Sequence, residues 1–231
     1  MADPRYARFV PTTSRKNGRE RRDALLDAAL QCFARRGVLE TGIEDVRRAA
    51  GASPSSVYHL FGGMNDLIVG LLERTIERLY GAINAATAQA TTAEGLVHAI
   101  VTAHLDWVLA NRAEARFLYQ ALALELAGTS RRQIERTKAK LRTPTMERLS
   151  AWTERGELPA WPPHALETVL LGPSHQACRY LLAGGAVDMD WMCRTLPSIA
   201  WRSVTPAAPS PATRPPGKRT PAFLGEHRQR R

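Results

Sequence analysis

Cysteine is scarce: Cys32, Cys178 and Cys193 are the only three in 231 residues, and they lie far apart. That number and spacing exclude a disulfide framework and a thiolate metal centre. None forms a C-x-x-C pair or stands near a histidine at ligand spacing, so they read as small thiols in a reducing compartment. No apolar run reaches the roughly eighteen residues that a membrane-spanning helix requires. The first 22 residues are polar and basic without an apolar centre, so they are not read as a secretory signal, and a cytoplasmic location is expected. Alternating strand patterns are lacking, which leaves an all-α fold. The patterns of catalysis are also missing: no H-E-x-x-H, no E-x-x-H pair, no nucleophile elbow and no glycine-rich phosphate loop. The expectation is a protein that is not an enzyme and carries no metal or cofactor.

What is present is a 44% hydrophobic composition, enough for a sizeable core, and a net charge of +10 placed unevenly. Met1 to Arg22 carries about +5, from seven basic residues against Asp3 and Glu20. The segment from Thr205 carries about +5, from six basic residues against Glu226. Gly63 to Val204 is almost neutral. Positive charge at the two ends can meet phosphates without loading a folded core with repulsion.

Residues 1–18 show no periodicity and read as a disordered basic arm. A first helix is expected from Arg19, with Leu25, Leu26, Ala29, Cys32 and Phe33 at three- and four-residue steps and a stop at Gly37. A second runs from Ile43 to Ala50 and closes at Gly51. A third is capped by Ser53, has Pro54 at its first position, and ends at Gly62-Gly63. A fourth, from Asn65, carries an apolar stripe from Leu67 to Ile83. Thr91 with Glu94 predicts a capping box for a fifth helix, and Asn111 with Glu114 opens a sixth that stops at Gly128. Ser130 is the expected cap of a basic seventh, with a kink or break at Pro144. An eighth carries Leu166 to Leu182 and a ninth runs from about Asp188 to Val204, bent at Pro173 and Pro197. The proline-rich segment 205–231 reads as a disordered tail. About nine helices fall into a helix-turn-helix domain, 19–79, and a larger helical domain, 80–204.

The stretch from Gly42 to Phe61 has the pattern of a DNA reader. Its first helix packs through small apolar residues, Gly51 permits a tight joint, and the second helix is short and capped. Ser55, Ser56, Tyr58 and His59 lie on the first two turns of that second helix, with groups able to meet base edges or phosphate oxygens.

The run R-R-D-A-L-L-D-A-A-L-Q-C-F-A-R-R-G from Arg21 resembles the first helix of the TetR family of transcriptional regulators. T-G-I-E-D-V-R-R-A-A-G-A-S-P-S-S-V-Y-H-L-F-G-G-M-N-D-L, from Thr41 to Leu67, resembles that family's helix-turn-helix and the start of its fourth helix. The resemblance covers Arg19 to Leu79; beyond it only the architecture is similar, although Leu170 to Gly184 resembles the eighth helix of many members. It implies DNA contacts at Thr41, Gly42, Glu44, Ser53, Pro54, Ser55, Ser56, Tyr58 and His59, with Tyr58 on a phosphate. Three positions depart from the family pattern: Gly42 replaces a hydroxyl cap, Pro54 a polar residue, and Met64 a phosphate-gripping lysine.

In the second domain, His98, His104, Trp107, Arg116, Tyr119, Glu125 and His175 punctuate otherwise apolar helices. His104, Trp107, Arg116, Tyr119 and His175 are the candidate ligand contacts, since small-molecule cavities are apolar with a few placed polar groups. The family architecture implies a dimer through the last two helices, with Leu166, Leu170, Tyr180, Leu181, Trp191 and Ile199 as candidate interface residues. The expected function is a ligand-responsive repressor that binds a palindromic operator as a homodimer. Its partners would be duplex DNA, a second copy of the chain and a small molecule, with no membrane. The alternative is a helical interaction module whose DNA-binding motif is vestigial.

Overall fold

The computed structural model describes residues 12–124 and 128–205. Among them are nine helices and no strands: α1 (Thr12–Arg36), α2 (Ile43–Ala49), α3 (Pro54–Leu60), α4 (Met64–Thr87), α5 (Ala93–Ala110), α6 (Arg112–Leu122), α7 (Gly128–Glu154), α8 (Pro163–Leu182) and α9 (Met189–Val204). The expectations for residues 1–11 and 206–231 lie outside the described residues. Helices α1 to α3 form a small head, with α1 packed on α2 and α3 through Leu25, Leu26, Ala29, Phe33, Val46 and Val57. The body wraps α4 with α5, α6 and α7, and lays α8 and α9 against the far side of α5.

Helix α1 begins at Thr12, seven residues before the expected Arg19. Hydrophobic periodicity detects a helix by what it buries, and residues 17–21 bury nothing fully. Its N-terminal extension was therefore invisible to that signal. Three predicted caps are corrected in the same spirit. Thr92, not Thr91, caps α5: its hydroxyl accepts from the Gly95 amide at 3.0 Å. Asn111 precedes α6 but makes no side-chain cap; its amide donates to the Trp107 carbonyl at 2.8 Å. Glu114, the other half of that expected box, is buried and paired with Arg78 of α4. Ser130 lies inside α7, buried, and accepts from Asn65 of α4 at 3.0 Å. For Glu114 and Ser130 a tertiary partner claimed a side chain that local pattern had assigned to a helix end.

Helices α7, α8 and α9 run unbroken through Pro144, Pro173 and Pro197. Each proline removes one backbone donor, and the buried residues on both sides, such as Leu149, Leu170 and Ala200, hold the helix across the missing bond. The two candidate Thr caps are separable by experiment. Thr92→Ala is expected to cost about 1 kcal/mol in urea unfolding, and Thr91→Ala close to nothing. Equal losses would contradict the capping register.

Candidate nucleic-acid interface and ligand cavity

The joint between α2 and α3 turns on Gly51, whose φ of +60° is a left-handed conformation that disfavours a side chain. Ser53 then stops the turn: its hydroxyl accepts from the Ser56 amide at 3.2 Å and donates to the Ser56 hydroxyl at 2.9 Å. Pro54 occupies the first helical position, where no amide donor is needed. Val57 of α3 faces the core while Pro54, Ser55, Tyr58 and His59 lie exposed, with Ser56 half-buried. Tyr58 is 56% exposed, an unusual state for a large aromatic with no protein partner for its hydroxyl among the described residues.

The other expected contacts divide. Gly42 is exposed at the start of α2, and its missing cap is supplied in part by Asp45, whose carboxylate accepts the Gly42 amide at 3.0 Å. That backbone hydrogen bond, then Arg48 and Arg36, hold the Asp45 carboxyl below its usual range. Glu44 is exposed but accepts from Arg47 at 2.7 Å. Thr41 does not belong with the surface residues: it is 6% exposed and its hydroxyl donates to the Gly37 carbonyl at 2.8 Å. A threonine after a glycine turn can satisfy the turn as readily as it can face a duplex, and here it does the former. The reader also contains basic groups that the motif comparison passed over. Arg36 and Arg48 sit on either side of Asp45, at 3.2 and 2.8 Å, both largely exposed. Arg47 donates to the Ala52 carbonyl at 3.1 Å and so braces the turn. Their signal in sequence was the Arg-Arg pair ending each of the first two helices.

The head is fixed to the body at several places, among them an ion pair from Arg74 of α4 to Asp27 of α1 at 2.8 Å. Arg22 of α1 lies 5.1 Å over the Phe61 ring, and both crowd Gly70 of α4, where a Cβ would stand 2.8 Å from the guanidinium. Phe33 of α1 stacks on Phe117 of α6 with ring centres 5.4 Å apart. Further along α4, Asn65 and Glu73 bond to Ser130, Gln133 and Thr137 of α7. Asn84 bonds to the Leu141 carbonyl and to Thr145.

A cavity of about 450 Å³ lies among α4, α5, α6, α7 and α8. Ile76, Leu79, Ile83, Leu118 and Leu171 form its apolar walls. His104, Tyr119 and His175 of the candidate ligand residues line it; Trp107 and Arg116 do not. Trp107 is buried on another face of α5, and Arg116 is turned outward, donating to the Leu182 carbonyl at 3.1 Å. His98 is not among the lining residues either, and Glu125 lies outside the described residues. His104 is 1% exposed, with Nε2 3.2 Å from the Tyr119 hydroxyl and its ring 4.6 Å from that of His175. Burial, then the neighbouring His175, push the His104 pKa down to about 3. Burial lowers His175 and raises Tyr119 and Cys178, the thiol to about 11. All four are therefore neutral near pH 7.

Tyr80 and Glu167 are cavity residues that the sequence reading missed. The Tyr80 hydroxyl donates to Glu167 at 2.7 Å, and Arg142 donates to the other carboxylate oxygen at 3.0 Å, so one acid joins α4, α7 and α8. A carboxylate within an apolar eighth helix was the only hint.

The candidate interface residues also separate. Leu166 and Leu170 are 3% and 2% exposed and belong to the subunit core. They are not available to a partner. Leu181 and Ile199 are half-buried, whereas Tyr180 and Trp191 stand exposed, as does Met189. Helix α8 is apolar on several faces, so its sequence pattern cannot separate inner from outer leucines.

A helix-turn-helix head and a long helix shared with a cavity-bearing helical body together define the class of helix-turn-helix proteins with a helical second domain. The sequence profile described as "Bacterial regulatory proteins, tetR family" matches residues 25–71. Over those residues, the helix-turn-helix head and the start of α4, the chain is similar to the TetR family. It is 33% identical over 86 residues to the HTH-type transcriptional regulator BetI of Brucella canis, covering 37% of this chain and 43% of that one. Over 119 residues it is 30% identical to the HTH-type transcriptional repressor KstR2 of Rhodococcus jostii, covering 52% of this chain and 57% of that one. These sequence matches thus span about half of each relative. The fold agrees over a longer stretch: a TetR family transcription regulator from Marinobacter aquaeolei superposes with a TM-score of 0.68 at 17% identity, covering 83% of this chain and 98% of that chain.

Proposed function

We propose that this chain is a ligand-responsive transcriptional repressor that works in the cytoplasm and binds a palindromic operator as a homodimer. The observation that carries the reading is that only residues 61–63 separate α4 from the exposed reading helix, and that α4 also supplies one wall of the cavity through Ile76, Leu79, Tyr80 and Ile83. A ligand that shifts α4 therefore re-aims α3. One short helix reads only a few base pairs, so two heads about 34 Å apart are needed to meet successive turns of the major groove. Tyr180 on α8 and Met189 and Trp191 on α9 are exposed large apolar side chains available for pairing with a second copy. The repressive direction is supported by the printed name of the Rhodococcus relative. A coupling of about 1–3 kcal/mol between cavity and head would lower operator affinity by roughly five- to 150-fold.

Selection of bound fragments from random duplex DNA with the purified full chain tests the reading. Recovery of one two-fold-symmetric sequence, bound with steep salt dependence, is the expected result. Shallow binding without preference among sequences would overturn it. Tyr58→Phe should weaken operator and unrelated duplex alike, by about tenfold, because a phosphate contact carries no sequence information. Loss of preference rather than of overall affinity would place Tyr58 on a base instead.

A further inference from the structure

The two carboxylates of the cavity wall are already committed. Glu167 accepts from Tyr80 and Arg142, and Glu135 is paired with Lys138 at 3.2 Å. A cationic ligand entering here finds no carboxylate without a partner, and its charge would face Lys138, Arg142 and Arg179. Arg179, on the lining of α8, has no carboxylate within salt-bridge distance among the described residues. One turn earlier on the same helix is His175, whose ring nitrogens have no hydrogen-bond partner among the described residues. The wall therefore holds three cations against two carboxylates, with the surplus cation and an unpartnered imidazole side by side. Facing them, the walls from α4 and α6 are chiefly leucine and isoleucine.

We propose that the cavity takes an amphipathic monoanion, an apolar body ending in a carboxylate, with the carboxylate held by Arg179 and His175 and the apolar body laid along Ile76, Leu79, Ile83 and Leu118. The inference rests on the regulator reading above and names the chemical class of its effector. The volume lies within the ~300–1,000 Å³ range of small-molecule sites. Arginine offers a planar donor fork that matches a carboxylate. The groups facing His175 are Tyr80 from α4, His104 from α5, Tyr119 from α6, Lys138 from α7, and Glu167 and Arg179 from its own helix. Its ring is neutral when the cavity is empty, and an arriving carboxylate favours the imidazolium. Binding therefore takes up a proton, and affinity falls as pH rises, by at most about tenfold per unit.

Decanoate, decanol and decyltrimethylammonium share one tail and differ in head group. Each is titrated calorimetrically into the full chain below its micelle concentration, between about pH 5 and 8. Decanoate should bind about tenfold or more tighter than decanol, and the ammonium compound should not bind. Arg179→Gln should weaken decanoate by about tenfold and leave decanol unchanged; His175→Gln should flatten the pH dependence. Decanol equal to decanoate, preference for the ammonium, or no binding by any of the three would overturn the proposal. Operator binding by the same preparation separates the two ideas. A chain that selects a duplex but ignores decanoate loses only the effector class, and one that binds decanoate but selects no duplex loses the regulator reading.

Discussion

Phe117→Ala is expected to remove about 3–5 kcal/mol of stability and to loosen the head from the body. Phe117 is 2% exposed and stacks in parallel on Phe33, so its truncation leaves a void between α6 and α1. No flexible chain lies ready to fill it: Leu25, Leu26 and Leu118, the nearby buried side chains of α1 and α6, are themselves almost wholly enclosed. Phe33→Leu keeps much of the volume and should cost far less, about 1–2 kcal/mol. Urea unfolding of the full chain measures both. The coupling claim needs a second readout, the response of operator binding to an effector, taken well below the unfolding transition. The stack is a strut between domains if F117A still binds DNA but responds less to the effector. A loss under about 1 kcal/mol would show that the ring lies in a yielding part of the core.

The second large effect is a loss of stability in mild acid, centred on His104. In the unfolded chain its imidazole takes up a proton near pH 6.5; in the folded chain, burial and then the adjacent His175 hold this off until about pH 3. Below pH 6.5 the unfolded state therefore binds the extra proton, and stability falls as pH drops from 6.5 toward 3. Above 6.5 the contribution is fully present. The slope is about 1.4 kcal/mol per pH unit, on the order of 4–5 kcal/mol across the window. His175 is shifted in the same direction and steepens the loss. His104→Gln keeps a polar partner for the Tyr119 hydroxyl while removing the titration. Unfolding free energies of wild type and H104Q between about pH 6.5 and 5, above most carboxylate titrations, should diverge as pH falls. Parallel lines would show that His104 becomes protonated without cost in the native state.

Legibility in the sequence followed the range of the interaction. The reading head was almost wholly legible, because its instructions are local. Gly51 permits a left-handed turn, Ser53 caps, Pro54 starts a helix, and Val57 with Phe61 faces inward at helical spacing. Each acts within a few residues, so order and spacing suffice to read them. Thr41 is the exception, turned inward by a hydrogen bond to Gly37 four residues before it. The nine helices were legible to within a few residues, except that α1 starts at Thr12, seven residues before the expected Arg19, and α6 ends at Leu122 where a stop at Gly128 was expected.

The chain order of residue types therefore determined the all-helical class, the helix-turn-helix and the resemblance of the head to the TetR family. Packing decided which polar residues meet. Tyr80, His104, Tyr119, Arg142, Glu167 and His175 come from five helices and share one cavity, while Trp107 and Arg116, equally eligible by pattern, face elsewhere. Packing also turned Leu166 and Leu170 inward and left Tyr180 and Trp191 outside. The physical reason is that periodicity specifies a helix and its apolar stripe, but not the rotation and tilt at which that stripe meets its neighbours. Those are set by side-chain volumes on other helices, far away in the chain.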